Sequence, residues 1–336
     1  MQQQDTLDSI NIKHTPQYRA ISHKPIQIGN HIIGYDQPAF IIAEIGINHN
    51  GNLNHAFKLI DIAIEAGCNA VKFQKRTVPI VYTETELQMP REVHESILMA
   101  GLDRNIFISE VKNRLVESNL QNSTNGDLKW ALEFTRQEYA EIDAYAKHKG
   151  ILWSVSPWDE QAVDDIVDFD LPFIKIASAS LTDDGLLRKI RELSAPVILS
   201  TGMSTMEEVN HAVQLLGEEN LILLHTVSTY PAREEELNFR VMETLRSTFP
   251  SIPIGYSGHE QGTTLSICAR AFGACVIERH ITIDRTLPGS DQAASLEPDG
   301  IKRVVSNIRR FEQALGSAEK VLLDREAPIK AKLRRK

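Results

Sequence analysis

The chain lacks most of the features that mark specialised protein classes. It has three cysteines in 336 residues, Cys68, Cys268 and Cys275, with no C-x-x-C pair among them. That odd, scattered set excludes a disulfide framework and a thiolate metal cluster, and reads as reduced core thiols. No apolar run is long enough to span a membrane. The opening MQQQDTLDSINIKHTPQYRA lacks the basic and apolar regions of a secretory signal. The expected compartment is therefore the cytoplasm, with no membrane partner. Positive charge is in deficit: 36 Lys and Arg stand against 45 Asp and Glu, a net charge of -9. This argues against nucleic acid as a partner, although one pocket can still concentrate positive charge for an anionic ligand. Aromatic residues are sparse at 6%, but 42% hydrophobic and 24% charged residues place the chain among ordinary globular enzymes. The basic end KAKLRRK reads as a solvated tail.

What is present is an alternation of strand-like and helix-like segments. The strands read FIIAEIG at 40–46, AVKFQ at 70–74, LWSVSP at 152–157, FIKIAS at 173–178, PVILSTG at 196–202, LILLHTV at 221–227, IPIGYSG at 252–258 and CVIERHI at 275–281. Amphipathic stretches lie between them, such as LNHAFKLIDIAIEAG with Phe57, Ile60 and Ile64 at helical spacing, and MEEVNHAVQLLG with Thr205 as its N-cap. Nearly continuous apolar strands suit either a doubly wound sheet or a closed barrel, and eight units favour an α/β (β/α)₈ TIM barrel. The expected organisation is an N-terminal extension over 1–39 with a hairpin in IQIGNHIIG, a catalytic barrel over 40–316 and a tail over 317–336. The long segment 75–135 after the second strand is a candidate lid.

In such a barrel, chemistry gathers at the C-terminal strand ends. Those ends carry Glu44; Lys72 and Gln74; Ser156; Lys175 and Ser178; Ser200 and Thr201; His225, Ser228 and Tyr230; Ser257 and His259; and Glu278 and His280. Lys72 and Lys175 stand in otherwise apolar strands. A buried ammonium is costly without a counter-charge, so the two together predict a bound anion, ahead of the alternative that each pairs with a core glutamate. The serines and Gln74 would add neutral donors to an anion's oxygens. His259 and His280 end consecutive strands, so they are neighbours on the rim and able to share a metal ion, with Glu44 and Asp291 as nearby carboxylates. Position alone leaves Mn²⁺, Mg²⁺ and Zn²⁺ open. His225 reads as structural.

The segments AEIGINHNG (43–51), AVKFQ (70–74), KIAS (175–178), ILSTGMST (198–205), HTVSTYP (225–231), GYSGHE (255–260) and ERHITIDRTLPGSDQAASLEP (278–298) together resemble the sialic acid (N-acetylneuraminate) synthase family. The resemblance implies a synthase that condenses phosphoenolpyruvate with an N-acyl-hexosamine or related hexose aldehyde and releases phosphate. It places Lys72, Gln74, Ser156, Lys175, Ser178, Ser200, Ser228 and Ser257 around phosphoenolpyruvate. His259 and His280 fall where the family holds its divalent metal, usually Mn²⁺, with Mg²⁺ or Co²⁺ as alternatives. Glu44 matches a catalytic glutamate, Tyr230 a residue at the substrate end and Asp291 an acid near the acceptor sugar. The partners implied are these two substrates and a second copy of the chain in a dimer. The alternative is a synthase acting on a phosphorylated aldose, of octulosonate or heptulosonate phosphate type. That reading requires a second phosphate site, and the strand ends offer no Arg or Lys cluster beyond the two lysines.

The sequence departs from the family pattern around the sugar. Ser180 stands where many relatives have a glutamate, Ser228 where an asparagine is expected, Gln292 where a histidine commonly follows the PGSD aspartate, and Gly258 where an acid precedes His259. The antifreeze-like domain that follows the barrel in many members is not expected here. Together these point to an acceptor other than plain N-acetylmannosamine.

Overall fold

In the computed structural model, which describes residues 25–335, the apolar runs form strands whose alternate side chains face opposite ways. Residues 1–24 of the expected N-terminal extension lie outside the described residues. Strands β1 (Ile26–Ile28) and β2 (His31–Ile33) pair antiparallel, the hairpin expected of IQIGNHIIG. Gly29 turns the chain at φ +57°, a conformation that costs glycine little because it has no Cβ.

Eight parallel strands follow: β3 (Phe40–Gly46), β4 (Ala70–Lys75), β5 (Leu152–Pro157), β6 (Ile174–Ile176), β7 (Val197–Ser200), β8 (Leu221–Thr226), β9 (Ile254–Gly258) and β10 (Val276–His280). They form one sheet in the order β5, β4, β3, β10, β9, β8, β7, β6. Pairing of the last strand with β3 curls the sheet round. At the remaining seam Ser154 Oγ, on β5, donates to the carbonyl of Phe173, just before β6, at 2.5 Å. The architecture is the expected (β/α)₈ barrel. The main boundary corrections are at β6, which ends at Ile176 so that Ser178 opens a 3₁₀ turn over Ser178–Ser180, and at β9, which starts two residues later than expected.

Helix α1 (Leu53–Ala66) follows β3. After β4 come α2 (Val78–Val81), α3 (Glu84–Gln88), α4 (Glu95–Asp103), α5 (Ser109–Glu117), α6 (Asn125–Leu132) and α7 (Arg136–Lys149). Then α8 (Glu160–Ile166), α9 (Asp184–Arg191), α10 (Met206–Leu216), α11 (Val241–Thr248), α12 (Thr264–Ala271) and α13 (Pro298–Leu315) follow successive strands, and α14 (Ala327–Leu333) lies beyond them. The caps follow local chemistry. Thr205 accepts from the Glu208 amide while Glu208 returns a bond to the Thr205 backbone, a reciprocal capping box. Among the described residues, no helix is long and apolar enough to cross a membrane.

The segment expected as a lid is a packed helical unit. Its α2–α6 helices enclose a small core of Val93, Ile97, Leu98, Phe107, Leu115, Ala131 and Leu132. Arg104 ties that unit to the barrel, donating to the carbonyls of Ala131 and Glu133 and to the Glu138 carboxylate. At the opposite end Ile26, Ile28 and Ile33 of the hairpin pack against Phe40, Ile42, Phe173, Ile198 and Leu224. The hairpin thereby plugs the bottom of the barrel, leaving its polar residues at the top. Ile28→Ala should cost about 2–5 kcal/mol, as other large-to-small core truncations do, measured by denaturant unfolding. An unchanged midpoint would show that the plug contributes nothing.

Candidate active site

Strand register decides which polar side chains meet. Glu44 lies opposite Lys72 on one side and His280 on the other, Gln74 opposite Ser156, and Glu278 opposite Ser257. Lys72 Nζ sits 2.8 Å from Glu44 Oε2 and 3.9 Å from Glu278 Oε2, and donates to Ser156 Oγ at 3.0 Å. Lys175 Nζ donates to Ser200 Oγ at 2.6 Å and to the Ile176 carbonyl at 2.9 Å, and lies 3.9 Å from Glu278 Oε1. Gln74 Nε2 donates to Glu44 Oε1 and Ser257 Oγ to Glu278 Oε1. The four charged groups are 1–3% exposed.

The lysines therefore do not require a bound anion to be accommodated: of the two expectations, pairing with core glutamates is the one the structure shows. That compensation is loose. Glu278 is stretched between two ammoniums at 3.9 Å, and its Oε2 accepts no hydrogen bond from the described residues. Burial is the largest influence on Lys175 and carries it down to about 8 against the pull of Glu278. Burial also works against the charge on Lys72, but Glu278 and Glu44 together hold it above the ordinary lysine value. Burial would raise the Glu278 carboxyl, yet Lys175 and Lys72 keep it at about 2. Lys72, Lys175 and Glu278 thus stay ionised near neutral pH.

Beside Lys175 lies a hydroxyl cradle. The Gly202 amide donates to Ser178 Oγ at 3.0 Å. A Cβ at residue 202 would come within 2.1 Å of Ser228 Oγ and 2.8 Å of Ser178 Oγ, so only glycine allows this approach. Ser228 Oγ is buried with no hydrogen-bond partner among the described residues, and a buried hydroxyl in that state suits an incoming oxygen-rich ligand.

On the rim above, the His259 and His280 ring centroids are 5.4 Å apart. Tyr230, 44% exposed, lies over His259 at 4.1 Å and edge-on to His280 at 5.7 Å. His259 Nδ1 donates to the Val227 carbonyl at 2.7 Å, which leaves the Nε2 lone pair available, the usual arrangement of a metal-ligating histidine. Burial, reinforced by His280, drives the His259 pKa to about 3, so the ring is neutral. His280 Nδ1 is buried without a hydrogen bond among the described residues and lies 3.7 Å from Asp291 Oδ2. Among the described residues no three His, Cys, Asp or Glu side chains converge as a complete metal cage. Two imidazoles with Asp291 alongside nonetheless fit a divalent ion whose remaining positions are filled by water or substrate oxygens. His225 Nε2 donates to the Leu237 carbonyl, which fits the structural role expected of it.

The departures from the family pattern have visible settings. Ser180 is buried in the turn after β6. Gln292 is buried and donates weakly to the Pro288 carbonyl at 3.4 Å. At Gly258 there is no room for a side chain, since a Cβ would lie 2.5 Å from Glu260 Oε2. Glu260 itself receives Arg279 Nη1 and the Tyr256 hydroxyl, both at 2.7 Å. This network fixes the turn that carries His259.

Two residues were given no role from sequence. Glu278 had a legible signal, since it precedes His280 by two positions on the same strand face. Asn48 had none beyond its motif; its Nδ2 donates to the Ile281 carbonyl and Ser295 Oγ, tying the loop after β3 to the end of β10.

Residues 59–320 match the NeuB family. This chain belongs to that family. It is 36% identical over 303 residues to N-acetylneuraminate-9-phosphate synthase of Homo sapiens, covering 90% of this chain and 78% of that protein. It is 34% identical over 309 residues to N,N'-diacetyllegionaminic acid synthase of Legionella pneumophila, covering 90% and 80%. The crystal structure of N-acetylneuraminic acid (sialic acid) synthetase from Leptospira borgpetersenii in complex with citrate superposes with a TM-score of 0.73 at 31% identity, covering 94% of this chain and 99% of that one. NeuB-family enzymes are metal-dependent. His280→Ala should weaken Mn²⁺ binding by at least about tenfold, the lower end of what even outer-shell changes cost, read by calorimetric titration. Unchanged affinity would remove His280 from the metal site.

Proposed function

We propose that this NeuB-family chain condenses phosphoenolpyruvate with an N-acyl-hexosamine or related hexose aldehyde, releasing phosphate and forming a nonulosonic acid. The observation that carries this is the stacking of two layers: a buried pair of lysines with hydroxyl donors, beneath a rim on which the His259 and His280 rings lie 5.4 Å apart. The catalytic unit of this reading is the barrel over 40–316, covered by the helical unit after β4.

Lys72, Lys175, Gln74, Ser156, Ser178, Ser200, Ser228 and Ser257 hold the phosphate and carboxylate. Their charge and hydroxyls act in a site almost free of water, where electrostatic interactions are strong. His259 and His280 would hold the divalent ion, Mn²⁺ in this reading with Mg²⁺ or Co²⁺ as alternatives, and when bound it supplies Lewis-acid polarisation of the aldehyde oxygen. C3 of phosphoenolpyruvate forms the new carbon–carbon bond to the aldehyde carbon, and water adds at C2. The C2–O bond to phosphate then breaks, leaving the 2-keto acid. Glu44 is the proton carrier of this sequence. Among the described residues its Oε2 has no hydrogen-bond partner besides the ion pair with Lys72, so it can take the proton of the attacking water and return one to the acceptor oxygen. Tyr230 and Asp291 line the acceptor end.

Incubation with phosphoenolpyruvate, Mn²⁺ and a panel of aldoses and acylamino sugars should give acceptor-dependent phosphate release and a new sugar acid by mass. No release with any acceptor would contradict the reading. Its pH dependence follows from Lys175. With a pKa lowered to about 8, this lysine is charged below that value and neutral above it, so kcat/KM for phosphoenolpyruvate should fall as pH rises through about 8. A flat profile to pH 9.5 would show that the Lys175 charge does not hold the substrate.

A further inference from the structure

We infer that Arg76, clamped by Glu133 of the helical unit after β4, is a positioning residue that orients the Gln74 amide and, through it, the carboxylate of Glu44. This inference rests on the condensation reading above, in which Glu44 carries protons, and names what aims that group. Arg76 directly follows β4 and is 8% exposed. Its Nη1 donates to Glu133 Oε1 and its backbone amide to Glu133 Oε2, both at 3.1 Å. Glu133 caps the C-terminal end of α6, so the inserted helices hold the arginine. On the other side Arg76 Nη2 donates to Gln74 Oε1, and Gln74 Nε2 donates to Glu44 Oε1 at 2.8 Å. The guanidinium carbon lies over the Trp158 ring, 4.3 Å from its centroid, a stacking contact that restrains the plane of the fork.

The chemistry of the three groups leaves one arrangement. A guanidinium only donates and an ionised carboxylate only accepts, so an amide between them turns its oxygen to Arg76 and its NH₂ to Glu44. Half a turn of the amide would set donor against donor on one side and acceptor against acceptor on the other. Arg76 therefore removes the choice. With Glu44 Oε1 occupied by the Gln74 amide, Oε2, the oxygen 2.8 Å from Lys72 Nζ, is the one left to exchange a proton. The backbone is built for this contact. The Gln74 carbonyl accepts from the Tyr139 hydroxyl at 2.7 Å, and a Cβ at Gly46 would come within 3.0 Å of Glu44 Oε1 and 3.1 Å of Gln74 Nε2. A purely structural ion pair would need only Glu133, whereas the remaining Nη of Arg76 is directed into the site. Lysine has no planar fork and cannot hold Glu133 and Gln74 in this fixed geometry.

The test is steady-state kinetics with phosphoenolpyruvate and an acceptor that supports phosphate release, with thermal unfolding measured alongside. Arg76→Met is made together with Glu133→Gln, so that no buried carboxylate is left without its cation. Arg76→Lys keeps the charge without the fork. Each should lose at least about tenfold in kcat, because small misplacements of a reacting group are costly, while the KM for phosphoenolpyruvate, held by the lysines and serines, changes by less than about threefold. In a Gln74→Leu background the same changes should cost less than about twofold further, since Arg76 acts through Gln74. Full kcat in either folded variant, a loss confined to KM, or an equal loss in the Gln74→Leu background would overturn the inference while leaving the condensation reading intact. If the wild type releases no phosphate with any acceptor, the condensation reading fails, and crystal structures of the wild type and Arg76→Lys decide the positioning separately. A Gln74 side chain turned away from Glu44 in the variant supports it; Gln74 and Glu44 unmoved overturn it.

Discussion

Glu44, Lys72, Lys175 and Glu278 share the barrel interior almost out of reach of water, and the rest of the site is arranged around their mutual attraction. Removing an ion from water costs several kcal/mol even after relaxation, so none of the four is tolerable alone. Their charges sum to zero, but the geometry does not neutralise them evenly. Lys72 has Glu44 at 2.8 Å, whereas Lys175 has only the shared Glu278 at 3.9 Å. The less compensated lysine is the one beside the hydroxyl cradle of Ser178, Gly202 and Ser228. An anion entering there completes a hydrogen-bonding and charge pattern that the protein has left open. In this sense the array is preorganised: the cost of burying its charges is met on folding, before substrate arrives.

Everything below and outside the array keeps it dry and rigid. The hairpin and the apolar layer of Phe40, Ile42, Ile198 and Leu224 seal the bottom. On the outward face of the last strand Arg279, completely buried, binds the Glu260 carboxylate and carbonyl and Ser266 Oγ. Strand alternation thus gives adjacent residues opposite duties. Glu278 faces the two lysines and His280 faces His259, and Arg279 between them anchors the turn that presents His259. At Gly258 the space that a side chain would need belongs to Glu260.

Much of this was legible in the chain. The eight barrel strands are local apolar runs, and strands buried on both faces are recognisable one by one. The expected site residues converge because they occupy strand ends and alternate positions. What required coordinates was register and the content of the insertion. That Glu278 lies between Lys72 and Lys175 depends on β10 curling round to β3, a contact between the ends of the barrel that no local pattern encodes. Arg76 and Glu133 are far apart in sequence, one directly after β4 and the other at the end of α6. Only the packing of the inserted helices around Leu98, Phe107 and Leu132 brings them together. The departures at Ser180, Ser228 and Gln292 were visible as substitutions, but their burial and partners were not.

The central claim is that the loosely compensated lysine array is the seat of phosphoenolpyruvate. Calorimetric titration of phosphoenolpyruvate without acceptor, into the wild type and into Lys175→Met with thermal unfolding measured alongside, tests it most directly. The account predicts saturable one-site binding in the wild type and at least about tenfold weaker binding in a variant that still folds, in keeping with the loss of a buried charge-assisted contact. Equal affinity in a folded Lys175→Met would contradict it.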